Sequence, residues 1–174
     1  MTASPTYAYR SLTRADESLV WRILYEAAHV AEEGRMSLRT IRHDPYLAKY
    51  AKGWGRTGDL GVGAFEQGNG EAVGAAWLRL LIGADRGDGY INDETPELAV
   101  GVIPAHRGRG VGTELLRLLV DAARPRVPGI TLTVRTGNPA IRLYERFGFR
   151  VLPGELTNRV GGQSVKMYRV SKCG

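Results

Sequence analysis

The sequence has few of the residues that form disulfides or bind metals. Its 174 residues include one cysteine, Cys173, and three histidines, His29, His43 and His106, which are scattered without ligand spacing. One cysteine cannot build an internal disulfide framework, and these histidines match no metal-binding motif. The composition therefore predicts a cytoplasmic protein without a metal ion.

Long apolar runs are also missing. No stretch approaches the roughly 18 apolar residues that a membrane-spanning helix needs. The first ten residues, MTASPTYAYR, lack the apolar core that is typical of a signal peptide. The chain is 43% hydrophobic and 24% charged, as globular proteins are. We expect one domain over residues 1–174 and no membrane partner.

Basic residues are concentrated in the second part of the chain. Residues 1–100 contain 11 Lys and Arg and 14 Asp and Glu, a net charge of −3, whereas residues 101–174 contain 13 and 4, a net charge of +9. The basic part includes the glycine-rich stretch HRGRGVGT at 106–113, which favours an anionic ligand. A nucleic-acid partner is the alternative, but no nucleic-acid-binding motif is present, so none is expected.

Hydrophobic periodicity predicts one mixed α/β domain. Strands are expected at 7–13, 59–67, 71–81, 97–102, 130–134, 149–152 and 164–170, and helices at 16–30, 40–54, 112–124 and 138–148. The sequence GNG at 68–70, between two of these strands, predicts a hairpin turn. In the last helix, Asn138 fits the N-cap, Pro139 the first helical position and Gly148 the C-terminal stop.

The glycine-rich stretch lies where the strand at 97–102 meets the helix at 112–124. The first amides of a helix have no intrahelical partners, and the helix dipole places positive charge there, so the junction favours an anion. The glycines have no side chains, so a phosphate can approach the backbone, and Arg107 and Arg109 add positive charge. A P-loop requires a lysine after the last glycine, and a dinucleotide fingerprint requires G-x-G-x-x-G after a first strand, so neither pattern fits.

Two segments resemble the GNAT family of N-acetyltransferases. RGRGVG at 107–112 matches the family signature Arg/Gln-x-x-Gly-x-Gly/Ala, and NPAIRLYERFGF at 138–149 is similar to the pattern Asn-x-x-Ala-x-x-Leu-Tyr-x-x-x-Gly-Phe. The specific resemblance covers residues 96–149. It implies a single-domain α/β GNAT fold, with a mixed, mostly antiparallel sheet of six to seven strands and about four flanking helices. The implied activity is direct transfer of an acetyl group from acetyl-CoA to a primary amine of a small molecule or protein.

The resemblance also implies the residues that hold acetyl-CoA. The backbone of Val100, Gly101 and Val102 would hold the pantetheine arm. The pyrophosphate would lie on Arg107, Gly108, Arg109, Gly110, Val111, Gly112 and Thr113. Asn138 either contacts the pantetheine or only caps its helix. No metal is implied.

Tyr144 and Glu97 are the candidate catalytic residues. Tyr144 resembles the family tyrosine that protonates the departing thiolate, but a tyrosine on the apolar stripe of a helix can also serve only as a core residue. Glu97 lies near the position where many family members have an acidic base, which would deprotonate an amine whose pKa is about 10.4. Its alternative role is a solvated carboxylate at a strand end. No covalent enzyme intermediate is expected, since no nucleophile with a base partner is apparent.

The acceptor amine is left open by the sequence. The acidic loop at 83–96, with Asp85, Asp88, Asp93 and Glu94, either attracts a cationic amine or is only a solvated loop. Residues 50–59, with Tyr50 and Trp54, either line an acceptor pocket or form a structured connection. Thr133 stands where family members that acetylate ribosomal proteins have a glutamate, which argues against that substrate.

Two other functions remain as alternatives. The first is a non-catalytic acyl-CoA-binding sensor with the same fold, and the second is a nucleic-acid-binding module. The excess of arginine over lysine suggests a bacterial source with a GC-rich genome. Because family members are often dimers, the resemblance also leaves a homodimer open.

Overall fold

The computed structural model describes residues 4–28, 37–157 and 162–171. His29, Cys173 and the end of the first predicted helix lie outside these ranges. The strands are β1 (Tyr7–Ser11), β2 (Leu60–Glu66), β3 (Ala72–Arg79), β4 (Glu97–Val102), β5 (Gly129–Arg135), β6 (Arg150–Thr157) and β7 (Gln163–Val170). The α-helices are α1 (Glu17–Ala27), α2 (Leu38–His43), α3 (Pro45–Ala48), α4 (Val111–Ala123) and α5 (Ala140–Arg146).

The strands form one sheet in the order β1-β2-β3-β4-β5-β7-β6. The pairs β1–β2, β5–β7 and β6–β7 are antiparallel. The pair β4–β5 is parallel, with Glu97 opposite Thr131. A parallel pair needs a long crossover, and α4 lies in that connection. The predicted mixed, mostly antiparallel α/β sheet is confirmed.

The chain divides into two compact units, Met1–Trp77 with Ala99–Leu119, and Leu78–Leu98 with Val120–Gly174. The first unit buries one face of α1 and one face of α4, and the Trp54 and Trp77 rings meet edge to face with centroids 6.5 Å apart. Its fully buried side chains include Val20, Ile23, Ala64, Leu115, Leu116 and Leu119. The second unit buries Ile130 and Leu132 of β5, Met167 of β7 and Phe149 before β6.

The helix predicted at 40–54 is two short helices, α2 and α3. Asp44 separates them with φ −84° and ψ 109°, an extended conformation that a residue before proline prefers. Its side chain then accepts hydrogen bonds from the backbone N–H of Tyr46 and Leu47, which caps α3. Pro45 therefore ends one helix and begins the next, which explains why five helices rather than four are found in the described part of the chain.

The candidate active site

The predicted phosphate-binding turn lies in the first unit, between β4 and α4. Gly108 and Gly110 have φ values of 70° and 81°, which residues with a side chain rarely adopt. Gly112 differs, because it lies in the first turn of α4 and an ideal Cβ atom there would be 3.8 Å from the nearest atom, Cγ2 of Val102. The fold therefore requires the first two glycines but has room for a side chain at position 112.

The turn is open on the side where side chains at Gly108 and Gly110 would project. Apart from the adjoining residues, no described atom lies within 4 Å of an ideal Cβ at Gly108 or Gly110. Glu114 donates its backbone N–H to the Gly110 carbonyl at 3.1 Å, so the amides of residues 111–113 precede the first intrahelical bond. These amides and the positive end of the α4 dipole are suitable donors for the pyrophosphate of acetyl-CoA.

The two arginines of the turn have different environments. Arg107 donates from Nε to the Val102 carbonyl at 2.9 Å and from Nη2 to Oε2 of Glu26 at 3.3 Å. Arg109 is exposed, and no described residue forms a hydrogen bond or an ion pair with its guanidinium. Both were predicted to add charge to the turn, but the charge of Arg107 is partly neutralised by Glu26. Among the described residues, none neutralises the charge of Arg109 in the same way.

Gly101 allows α1 to approach β4 closely. An ideal Cβ atom at Gly101 would lie 2.9 Å from the Ile23 carbonyl oxygen and 3.0 Å from the Ala27 nitrogen, both backbone atoms of α1. A glycine within a strand often marks such a close approach of another backbone segment. Val100 and Val102 are half-buried. Contact between the backbone of these three residues and the pantetheine arm stays a prediction.

Glu97 lies in the second unit and is buried, with only 4% of its surface exposed. Its carboxyl group packs against Gly89, where an ideal Cβ would be 2.6 Å from the Glu97 Cδ. Thr131 donates from Oγ1 to the Gly89 carbonyl at 2.8 Å, and Lys166 donates from Nζ to the Tyr90 carbonyl at 2.8 Å. These bonds anchor the acidic loop beside the Glu97 carboxyl. The alternative of a solvated carboxylate is therefore wrong, while the role of base stays a prediction.

The acidic loop keeps a net negative charge. Asp85, Asp93 and Glu94 are exposed and Asp88 is half-buried. Asp93 accepts a hydrogen bond from the Tyr90 hydroxyl at 2.7 Å and lies 3.6 Å from the Arg86 guanidinium. The positive charge of Arg86 thus offsets only part of the negative charge of the four carboxylates, and the loop remains suited to attract a cation.

Tyr144 lies on α5 in the second unit and is half-buried. Its ring packs edge to face on Phe149, with centroids 6.0 Å apart. Burial raises the pKa of Tyr144 to about 12, so its hydroxyl stays protonated at neutral pH and can donate a hydrogen bond. The packing agrees with a core role and the protonated hydroxyl with a catalytic one, so both predicted roles of Tyr144 stay predictions.

Asn138 acts as a helix cap. Its Oδ1 accepts the Ala140 N–H at 2.9 Å. At the other end of α5, Gly148 has φ 85° and Phe149 donates its N–H to the Tyr144 carbonyl at 3.1 Å, which confirms the predicted stop. Asn138 precedes Ala140 by two residues, one fewer than in the family pattern. Its contact with pantetheine stays a prediction.

Residues 50–59 form the structured connection that was one of their two predicted roles. Tyr50 and Trp54 are buried. Trp54 donates from Nε1 to the Thr13 carbonyl, and Trp77 donates from Nε1 to the Tyr50 carbonyl, both at 3.0 Å.

Thr133, half-buried in β5, lies opposite Lys166 of β7.

Three residues that hold the predicted site were not found from the sequence: Glu26, Thr131 and Lys166. Each bonds to a residue far away along the chain, so no local pattern points to it.

Within the described ranges, no cluster of His, Cys, Asp and Glu is suited to a metal ion. Nor does any helix of these ranges have the length and apolarity to cross a membrane.

Comparisons with known proteins show which sequences and structures this chain resembles. The family model described as the acetyltransferase (GNAT) family matches residues 21–149. The yncA protein of Salmonella typhimurium, solved with its cofactor acetyl-CoA, has 26% identity and a TM-score of 0.68, and the match covers 97% of this chain and 95% of that one. A ribosomal-protein-alanine N-acetyltransferase from Brucella melitensis has 25% identity and a TM-score of 0.65, with 94% and 99% covered.

A third similar structure, at lower identity, agrees in fold alone. It is the spermidine N-acetyltransferase of Vibrio cholerae in complex with CoA and spermine, with 20% identity, a TM-score of 0.64 and 95% of both chains covered. The comparison with curated protein sequences gave no match.

Proposed function

Because the chain belongs to the GNAT acetyltransferase family and is an N-acetyltransferase that uses acetyl-CoA, we propose that its acceptor is a cationic primary amine of a small molecule or a protein. The observation that carries this proposal is the buried carboxyl of Glu97 beside an anchored acidic loop. The exposed carboxylates would attract the amine, and Glu97 would take its proton.

The donor is expected to bind through backbone amides and one charged side chain. The amides of residues 111–113 and the Arg109 guanidinium would hold the pyrophosphate, and the backbone of 100–102 would hold the pantetheine arm. Support comes from the open space at the turn and from the bonds that already engage Arg107. Backbone donors that are fixed before the reaction also stabilise developing negative charge on a thioester oxygen without reorganising.

The proposed reaction is a direct transfer. The neutral amine nitrogen attacks the thioester carbonyl carbon, so that a C–N bond forms and the C–S bond breaks. Before this attack the ammonium group gives one proton to Glu97, directly or through water. The second proton that nitrogen loses as the amide forms passes to water, and the sulfur leaves as a thiolate that takes up one proton from water. The products are an amide and free coenzyme A, and no group becomes attached to the enzyme.

Tyr144 is proposed to stabilise the departing sulfur. With a pKa of about 12, its hydroxyl is a weaker acid than a thiol with a pKa of about 8.5. Complete proton transfer to the thiolate would then cost about 5 kcal/mol. We therefore replace the predicted proton donation by a hydrogen bond from Tyr144 to the sulfur, with the final proton supplied by the surrounding water.

An acceptor screen with acetyl-CoA tests the proposal. Release of free thiol is measured with spermidine, spermine, a peptide with an N-terminal alanine, a lysine peptide and a zwitterionic amino acid. We expect turnover with at least one amine of net positive charge and loss of that turnover in Glu97→Gln. Preference for the zwitterion contradicts the cationic acceptor, and CoA binding without turnover of any amine would support a sensor.

We propose a bacterial cytoplasm as the setting of this reaction. A bacterial cytoplasm agrees with the arginine-rich composition and with the bacterial sources of similar structures. A homodimer stays a prediction that sedimentation of the purified chain would test directly.

A further inference from the structure

An ion pair joins α1 to the phosphate-binding turn. The Arg107 guanidinium lies 3.3 Å from the Glu26 carboxylate, and 37% and 13% of these side chains are exposed. The same guanidinium donates to the carbonyl of Val102, the last residue of β4. Arg107 thus connects the first residue of the turn to both the helix and the strand that precede it.

The position of Glu26 is itself fixed by packing. Ile23 and Ala27, on either side of Glu26 in α1, place backbone atoms about 3 Å from where a Cβ of Gly101 would be. The helix therefore lies directly against β4 at this point, one residue before Val102. Any movement of α1 here would displace the carboxylate that holds Arg107.

The charge of Glu26 makes its location unexpected. A carboxylate close to a binding turn for phosphates repels the ligand and should weaken its binding. The ion pair with Arg107 also removes part of the positive charge of the turn. A direct electrostatic role in binding the anion is therefore unfavourable for both residues, and a role in shaping the backbone accounts for them.

We propose that Glu26 and Arg107 are positioning residues, which hold the backbone of 107–112 in the conformation that binds the donor. Arg109 is then the residue whose side chain contacts phosphate. This inference rests on the proposed donor site. It assigns the first arginine of the turn to protein structure and the second to the ligand.

Calorimetry measures how Glu26→Gln changes the affinity for CoA, and the two possible roles of Glu26 predict changes in opposite directions. If Glu26 is a positioning residue, Glu26→Gln should weaken CoA binding by about 5-fold to 10-fold, even though it removes a negative charge. If it acts only as a nearby charge, the same change should tighten binding. The Michaelis constant for acetyl-CoA should rise in parallel, while that for the acceptor should not.

A double-mutant cycle tests whether the two residues act together. The effects of Glu26→Gln and Arg107→Met should not add, whereas those of Glu26→Gln and Arg109→Met should. Arg107→Lys keeps a charge and provides a second variant if Arg107→Met unfolds. Melting temperatures should change little, because a partly exposed ion pair adds little to the stability of the fold.

Each failure has a distinct meaning. CoA affinity that is unchanged or higher in Glu26→Gln overturns the positioning role. Additive effects of Glu26→Gln and Arg107→Met overturn the coupling. A wild-type protein that does not bind CoA contradicts the proposed donor site instead.

Discussion

The carboxyl group of Glu97 occupies the space that a side chain at Gly89 would need, since an ideal Cβ at Gly89 would lie 2.7 Å from the Glu97 Oε1. Thr131 and Lys166 hold the chain at Gly89 and Tyr90 through backbone carbonyls. The loop cannot retreat from the carboxyl without breaking these bonds. The position of Glu97 is thus set by a glycine and two side chains from β5 and β7.

Gly89→Ala should therefore impair catalysis through Glu97. The added methyl group forces the carboxyl or the loop to move, and we expect kcat to fall at least about 10-fold, with a stability cost of about 1–3 kcal/mol. The Michaelis constant for acetyl-CoA should change little. Gly68→Ala, at a turn with nothing within 4 Å of the new atom, is the matched control. Normal kcat in folded Gly89→Ala would show that the placement of Glu97 does not matter.

The open space at Gly112 separates ligand binding from folding. A Cβ atom at position 112 would make only an ordinary contact with Val102, so Gly112→Ala fits within the protein, and alanine in a helix is about 1 kcal/mol more favourable than glycine. We expect thermal stability to be kept or raised while CoA affinity falls, by more than about 10-fold for Gly112→Leu. Calorimetry together with thermal melting measures both. Unchanged affinity in a folded Gly112→Leu would place the pyrophosphate elsewhere.

The acidic loop should govern the acceptor and leave the donor unaffected. Replacing Asp85, Asp88, Asp93 and Glu94 with their amides removes four negative charges and should raise the Michaelis constant for a cationic amine. The effect should shrink at high salt, because exposed charges are screened. Glu71→Gln, an exposed carboxylate at the β2–β3 turn, is the control. Equal effects on both substrates, or none, would contradict attraction by the loop.

Asp16 should link stability to acid pH. A hydrogen bond from Arg10, together with the Thr13 N–H, lowers the pKa of Asp16 from 3.8 to about 2. The stabilisation is therefore complete above pH 4 and lost as the pH falls through about 2. Asp16→Asn should cost about 1–2 kcal/mol at pH 7 and almost nothing at pH 2, as chemical denaturation at both pH values would measure. An equal cost at the two pH values would show that the charge of Asp16 is not responsible.

The parts of the site that depend on local sequence could be predicted. The glycines at 108 and 110 and the cap and stop of α5 act within a few residues, so their patterns are visible along the chain. Pro45 divides the helix predicted at 40–54, and although a proline inside a helical pattern is visible in the sequence, hydrophobic periodicity alone does not place the break.

The supporting contacts could not be predicted, because their partners are distant. Arg107 and Glu26 are 81 residues apart, Lys166 and Tyr90 are 76 apart, and Thr131 and Gly89 are 42 apart. Hydrophobic periodicity describes which face of an element is buried, and it does not say which polar side chains meet across elements. The burial of Glu97 has the same origin, since its strand-end position alone suggested exposure.

Tyr144→Phe tests the hydrogen bond to the departing sulfur. The change keeps the ring that packs on Phe149 and removes only the hydroxyl, so CoA affinity and melting temperature should change little. Loss of one fixed donor to a developing anion typically costs about 10²-fold in kcat, and we expect that loss here. Glu145→Gln, on the same helix and exposed, is the control.

The raised pKa of Tyr144 adds a pH test to this variant. Because the folded protein holds this proton more tightly than the unfolded chain, whose tyrosine has the ordinary pKa near 10, stability should fall as the pH rises from 10 to 12. The phenylalanine variant should lack that part of the decline. Below pH 10 the hydroxyl is protonated, so Tyr144 should contribute no alkaline decrease to the activity of the wild type between pH 7 and 9. Full turnover in Tyr144→Phe would restrict this residue to packing and leave the thiolate to be stabilised by water.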